Sequence, residues 1–96
     1  MAFEIREAIS SDCAEILILM RDFAAFEKLS EWCTATESDL RDAMFGKDSF
    51  VKGIVAREGD ETVAYALFYR SFSTFRGQRG HFLEDLYIDA AHRGLG

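Results

Sequence analysis

Apolar and polar side chains alternate from Phe3 to Ala8, with Phe3 and Ile5 set against Glu4 and Arg6, which predicts a half-buried first strand. The period then lengthens. Cys13, Ile16, Leu17, Met20, Phe23 and Ala24 recur at helical spacing and predict a helix with one apolar stripe against a sheet. Ser10, Ser11 and Asp12 are good N-cap residues, and Asp12 with Glu15 has capping-box spacing. The helix is expected to fray near Lys28. Leu29 to Ala35 reads as a loop, with Trp32 expected as a lid over the core. Thr36 caps a second, shorter helix whose first turn is acidic, with Leu40, Ala43 and Met44 as its buried edge and Gly46 as its stop.

The second half of the chain returns to strand patterning. A strand runs from about Phe50 to Arg57, and Glu58-Gly59-Asp60-Glu61 turns the chain tightly into a partner strand from Thr62 to Phe72. Ser73 to Gly80 is a polar, glycine-containing loop. The last strand follows, where Leu83, Leu86, Tyr87 and Ile88 form a short apolar run interrupted by Glu84 and Asp85; this suits a buried central strand with one polar opening. Phe23, Phe26, Phe68 and Phe72 are assigned to the core. The expected architecture is α/β in the layered α+β sense, in the order β-α-α-β-β-β, with two helices on a mostly antiparallel sheet.

Composition narrows the field. The chain has 96 residues, no proline and a high apolar content, which suits one packed domain, 1-96. A formal charge of -6 argues against nucleic acid or an anionic membrane as partner and suits a cationic small molecule such as an amine. Cys13 and Cys33 are too few for a disulfide framework and lack metal spacing, and His81 and His92 have no ligand partners at metal spacing, so no metal is expected. The start lacks the regions of a signal peptide and no apolar run is long enough to span a bilayer, so a cytoplasmic location is expected.

Candidate chemistry gathers at the end of the chain. Arg93-Gly94-Leu95-Gly96 sets backbone N–H groups beside a cation, an arrangement that cradles phosphate oxygens and normally opens a helix. The sequence stops at Gly96, before that helix. Phe3-Glu4-Ile5-Arg6 with Ser11-Asp12-Cys13, then Leu83-Glu84-Asp85-Leu86-Tyr87-Ile88 and Arg93-Gly94-Leu95-Gly96, resemble the GNAT N-acetyltransferase superfamily. They are nearest to its spermidine/spermine and thialysine acetyltransferase branch and bacterial relatives. Arg93 and Gly96 match the first and fourth positions of the family's acyl-CoA motif.

The resemblance implies the amino-terminal half of the acyl-CoA N-acyltransferase fold, a partial domain truncated at the phosphate-binding loop. It implies an enzyme that transfers acetyl from acetyl-CoA, as co-substrate, directly to a small primary amine. Leu86 and Ile88 match positions whose main-chain groups pair with the pantetheine arm, and Arg93, Gly94 and Gly96 match positions that hold the pyrophosphate. Glu84 matches the carboxylate that takes a proton from the amine, with a structural carboxylate as the equal alternative; Asp85 is read as structural. Glu27 and Glu31 could draw a cationic substrate, with a solvated helix end as the favoured reading. Ser73 and Phe75 depart from the acidic residue and Trp of the polyamine branch, and the family's general acid would lie beyond Gly96. The 96-residue chain alone is therefore expected to turn over weakly or not at all. The rival expectation is a non-catalytic interaction module that forms a homodimer through its last strand.

Overall fold

A computed structural model describes residues 3–89 and Ala91. Four strands, β1 (Glu4–Glu7), β2 (Val51–Glu58), β3 (Glu61–Ser73) and β4 (Gln78–Ile88), form one antiparallel sheet in sequence order. Two helices, α1 (Cys13–Phe26) and α2 (Glu37–Phe45), lie between β1 and β2 in sequence. Single 3-10 turns at Ser10–Asp12 and Ser30–Trp32 precede α1 and α2 respectively. The expected order of helices and strands stands.

The core forms where the helical stripe meets the inner face of the sheet. Cys13 and Ile16 of α1 are sealed against Val55 of β2 and Tyr65 of β3, with Leu40 and Met44 of α2 closing the side. Each such aliphatic side chain contributes roughly 1.5–3 kcal/mol through removal from water. The other face of the sheet is exposed: Ile5 of β1 is 71% accessible and Leu86 of β4 is 58% accessible. Ile54, Ala66 and Leu86 stand in one row across β2, β3 and β4 on that face.

Local chemistry explains the turns. Gly59 takes φ +61 at the first central position of the two-residue β2–β3 hairpin, where a side chain would be strained. Thr36 accepts from the Asp39 N–H at 3.1 Å while Asp39 accepts from the Thr36 N–H at 2.9 Å, a reciprocal cap at the start of α2. Gly46 ends α2 for a steric reason, since its backbone is extended. A Cβ there would come within 2.5 Å of the Asp42 carbonyl oxygen.

Several expectations are corrected. Half of the segment from Ser73 to Gly80 is strand ladder: β3 runs to Ser73, β4 begins at Gln78, and the connection is only 74–77. The polar composition there reflects two exposed strands. Phe72 and Phe26 are each 61% exposed, so neither belongs to the core. Within β4 only Tyr87 is buried, because β4 is the outer strand of the described sheet and only one of its faces meets α1. Leu83, Leu86 and Ile88 are exposed. Asp12 does not cap α1 with Glu15; it accepts the Ile9 N–H at 2.7 Å and binds Arg6 instead.

Candidate functional site

The end of α1 is where the site begins. The helix is closed by two hydrogen bonds, from the Leu29 N–H to the Ala24 carbonyl at 2.7 Å and from the Lys28 N–H to the Ala25 carbonyl at 3.1 Å. This is the Schellman closure, with Lys28 at φ +60 in the position that usually holds glycine. The expected fraying near Lys28 is thus a defined stop. The chain then makes a 3-10 turn fixed by the Trp32 N–H on the Leu29 carbonyl at 2.9 Å and the Cys33 N–H on the Ser30 carbonyl at 3.1 Å. Trp32 is 75% exposed, so it is no lid over the core.

β4 supplies the opposite wall. Its register against β3 shifts by one residue: Leu67 faces Asp85 while Phe68 faces Leu83, and Glu84 is the extra residue between them. A regular strand sends neighbouring side chains to opposite faces, but a bulge re-aims one of them. Glu84 and Asp85 therefore line the same groove, of about 460 Å³, between the end of α1, the Trp32 turn and β4. Glu27 lines it too, and its apolar walls include Met20, Phe23, Leu29 and Trp32. Among the described lining residues there are three carboxylates and no cationic side chain.

Phe23, which lines the groove, belongs to an aromatic cluster. Phe23 of α1 stacks on Tyr87 of β4 with ring centres 5.1 Å apart, and Tyr65 lies 6.5 Å from Tyr87. The Tyr65 hydroxyl stands 3.5 Å from Asp85 Oδ2, at the limit of a hydrogen bond. Burial, and then the charge of neighbouring Glu84, hold the Asp85 carboxyl above the usual carboxylate range, against the lowering effect of the Tyr65 hydroxyl. Burial, with the nearby Asp85 charge, pushes the Tyr65 phenol up. The arrangement favours any ligand that brings positive charge to Glu84 and Asp85 and hydrocarbon to the Trp32 side.

No family model matches the chain. It is 41% identical over 105 residues to a thialysine N-epsilon-acetyltransferase of Bos taurus, across 100% of this chain and 61% of that protein. A human spermidine/spermine N(1)-acetyltransferase-like protein 1 is 33% identical over 101 residues, across 98% of this chain and 14% of the relative. The crystal structure of a ribosomal-protein-alanine N-acetyltransferase from Brucella melitensis matches with a TM-score of 0.70 at 20% identity, over 98% of this chain and 61% of that one. The fold is that of the GNAT acetyltransferases. The chain spans about three-fifths of the length of the thialysine acetyltransferase relatives it matches.

Set on the GNAT fold, the sequence-predicted residues divide in two. Glu84, Leu86 and Ile88 all lie on β4, Glu84 at the bulge and the other two on the exposed strand beyond it. Arg93, Gly94 and Gly96, and His92 with them, lie outside the described residues. His81 is on β4 with its ring edge-on to Phe68 at 5.5 Å, away from any metal-like cluster; the described residues hold no group of three or more His, Cys, Asp or Glu arranged for a metal. No described helix is long and apolar enough to cross a membrane. Sequence reasoning missed Cys33 as a groove residue, preferred a core lid to a binding role for Trp32, and preferred solvent to a cationic ligand for Glu27. A tryptophan in a polar loop, flanked by Glu27 and Glu31, was the available signal.

Proposed function

We propose that this chain forms the acceptor side of an N-acetyltransferase that moves acetyl from acetyl-CoA to a small primary amine. The observation that carries the reading is the β4 bulge, which sets Glu84 beside Asp85 on a groove with no cationic lining residue among those described. The 41% identity to a thialysine acetyltransferase supports the reaction class.

An ammonium has no lone pair to offer a thioester, so it must first be deprotonated. Glu84 accepts that proton, directly or through one water, and Asp85 holds the cation in place until it leaves. The freed amine then attacks the acetyl carbonyl and the new C–N bond forms; the attached nitrogen releases its second proton as the tetrahedral intermediate collapses, the C–S bond breaks, and the CoA sulfur takes up a proton to leave as the thiol. Both substrates are held in one cleft, and no covalent enzyme intermediate is needed. Leu86 and Ile88, on the exposed part of β4, pair with the pantetheine arm, and Arg93, Gly94 and Gly96 hold the pyrophosphate. The reaction is tested in a chain extended to the length of the relatives it matches.

The test is Glu84→Gln in such an extended chain. Amine transfer falls about 10²–10⁴-fold at neutral pH, while acetyl-CoA binding measured by calorimetry is unchanged. If turnover and its pH profile stay as in the parent, Glu84 is not the base. A specific observation favours a second reading, self-association: β4 is an outer strand carrying exposed Leu83 and Leu86. Gel filtration over a range of concentrations checks for that homodimer, and a monomer at every concentration removes it.

A further inference from the structure

The groove has an apolar side that proton abstraction does not use. Trp32 is the largest part of it and is the only tryptophan in the sequence. Its position is built rather than incidental. The Schellman closure fixes Leu29, the 3-10 bonds fix the backbone at Trp32 and Cys33, and Ala24 and Leu29, joined by the 2.7 Å closing bond, both line the groove beside it. An indole that is 75% exposed on so firmly held a turn has few protein contacts of its own to satisfy. Glu84 and Asp85 line the same groove.

We propose that Trp32 is a specificity-determining residue, whose indole face, with Leu29 and Met20, seats the hydrocarbon stem of the amine while Glu84 and Asp85 hold its ammonium end. This rests on the acceptor reading of the groove and adds the selection rule: affinity rises with the length of the acceptor's apolar stem. A carboxylate pair alone would bind short and long ammonium ions alike. Burying methylenes against a fixed apolar wall distinguishes them.

The sole tryptophan supplies its own probe. The 96-residue chain is titrated with ethylamine, butylamine and hexylamine, and with butanol and hexanol as uncharged controls, following tryptophan emission and, separately, calorimetry. Expected are an emission change that saturates with each amine, an affinity gain of about twofold for each added methylene of a partly exposed stem, and weaker binding of the alcohols. In Trp32→Ala the amines still bind, but the dependence on stem length flattens. In the extended enzyme the same variant raises KM for long-stem amines and leaves kcat unchanged. If calorimetry shows amine binding that Glu84→Gln weakens, but emission is flat or Trp32→Ala keeps the full length dependence, the Trp32 assignment is wrong while the acceptor groove stands. If no amine binds at all, both fail together.

Discussion

The two ends of α1 carry the same kind of side chain in opposite circumstances. At the amino end, Asp12 is 2% exposed and fully answered: Arg6 binds it through two nitrogens at 2.7 and 3.1 Å, Arg57 stands 3.6 Å away, and the Ile9 N–H donates at 2.7 Å. Arg57 also binds Glu15 at 3.1 Å and Thr62 at 2.9 Å, which ties β1, α1 and the β2–β3 hairpin together. At the carboxyl end, Glu27, Glu84 and Asp85 converge on a groove with no cationic lining residue among those described. That end of a helix is also the negative pole of its dipole, where a further carboxylate is unfavourable. One end is a finished ion-pair network; the other holds negative charge in reserve. A carboxylate that its own fold satisfies is architecture, and one that its fold leaves short of a cation is available for chemistry.

The acidities follow the same division. The Arg6 guanidinium, with help from the Ile9 N–H, holds the Asp12 carboxyl below the usual carboxylate range despite its burial. Burial and Glu84 hold Asp85 above it. Asp12 thus contributes stability that is present above its unfolded value, about pH 4, and that is lost as pH falls through its lowered folded value. Asp85 has the opposite sign. Its contribution is complete below about pH 4 and is lost as pH rises through its raised folded value.

The largest expected effect comes from breaking the finished end. Asp12→Ala leaves Arg6 and Arg57 facing each other across the site and frees the Ile9 N–H, so it should destabilise the chain by about 3–5 kcal/mol, measured by urea unfolding at neutral pH. Its penalty should shrink in acid, where the parent has lost the same contribution. A loss under about 1 kcal/mol, in the range of an exposed pair, would mean that the network does not hold the amino end together.

A middle-sized effect comes from the open end. Lys28 occupies the left-handed region at φ +60, which disfavours any residue with a Cβ by roughly 1 kcal/mol. Lys28→Gly should relieve that strain and raise stability by about 0.5–1 kcal/mol, with the groove unchanged. Thermal unfolding decides it: a lowered midpoint would mean that the αL closure of α1 is not strained, or that the lysine has a partner worth more than the strain.

Most of the fold could be read from the chain because it rests on short-range periodicity. The apolar stripe from Cys13 to Phe23 announced α1, Thr36 announced α2, and Gly59-Asp60 announced the hairpin. The site was legible only in part. Glu84 was singled out, but a one-residue register shift depends on pairing with Leu67 and Phe68 on another strand, and no local pattern encodes it. Trp32, Phe26 and Phe72 were misplaced for a related reason. Large aromatic residues are usually buried, and whether a given one is depends on what packs over it, which these stretches do not state. The charge network was missed because Asp12 had an adequate local explanation as a cap, and its partners Arg6 and Arg57 lie on separate strands.

The smallest effect is the one that sharpens the contrast most. Asp85→Asn removes a charge that the groove holds unwillingly while keeping an acceptor for the Tyr65 hydroxyl. With the sign worked out above, it should raise the unfolding midpoint slightly at about pH 7 and leave it unchanged near pH 3, below the carboxylate's ordinary value. The opposite pH dependence of Asp12→Ala in the same buffers provides the internal control. On the proposed acceptor reading, a chain extended to the relatives' length should bind amines more weakly, since an ammonium in the groove would relieve the unfavourable charge. If Asp85→Asn instead lowers the midpoint at neutral pH, then Asp85 is as well satisfied as Asp12 and the distinction between the two ends of α1 collapses.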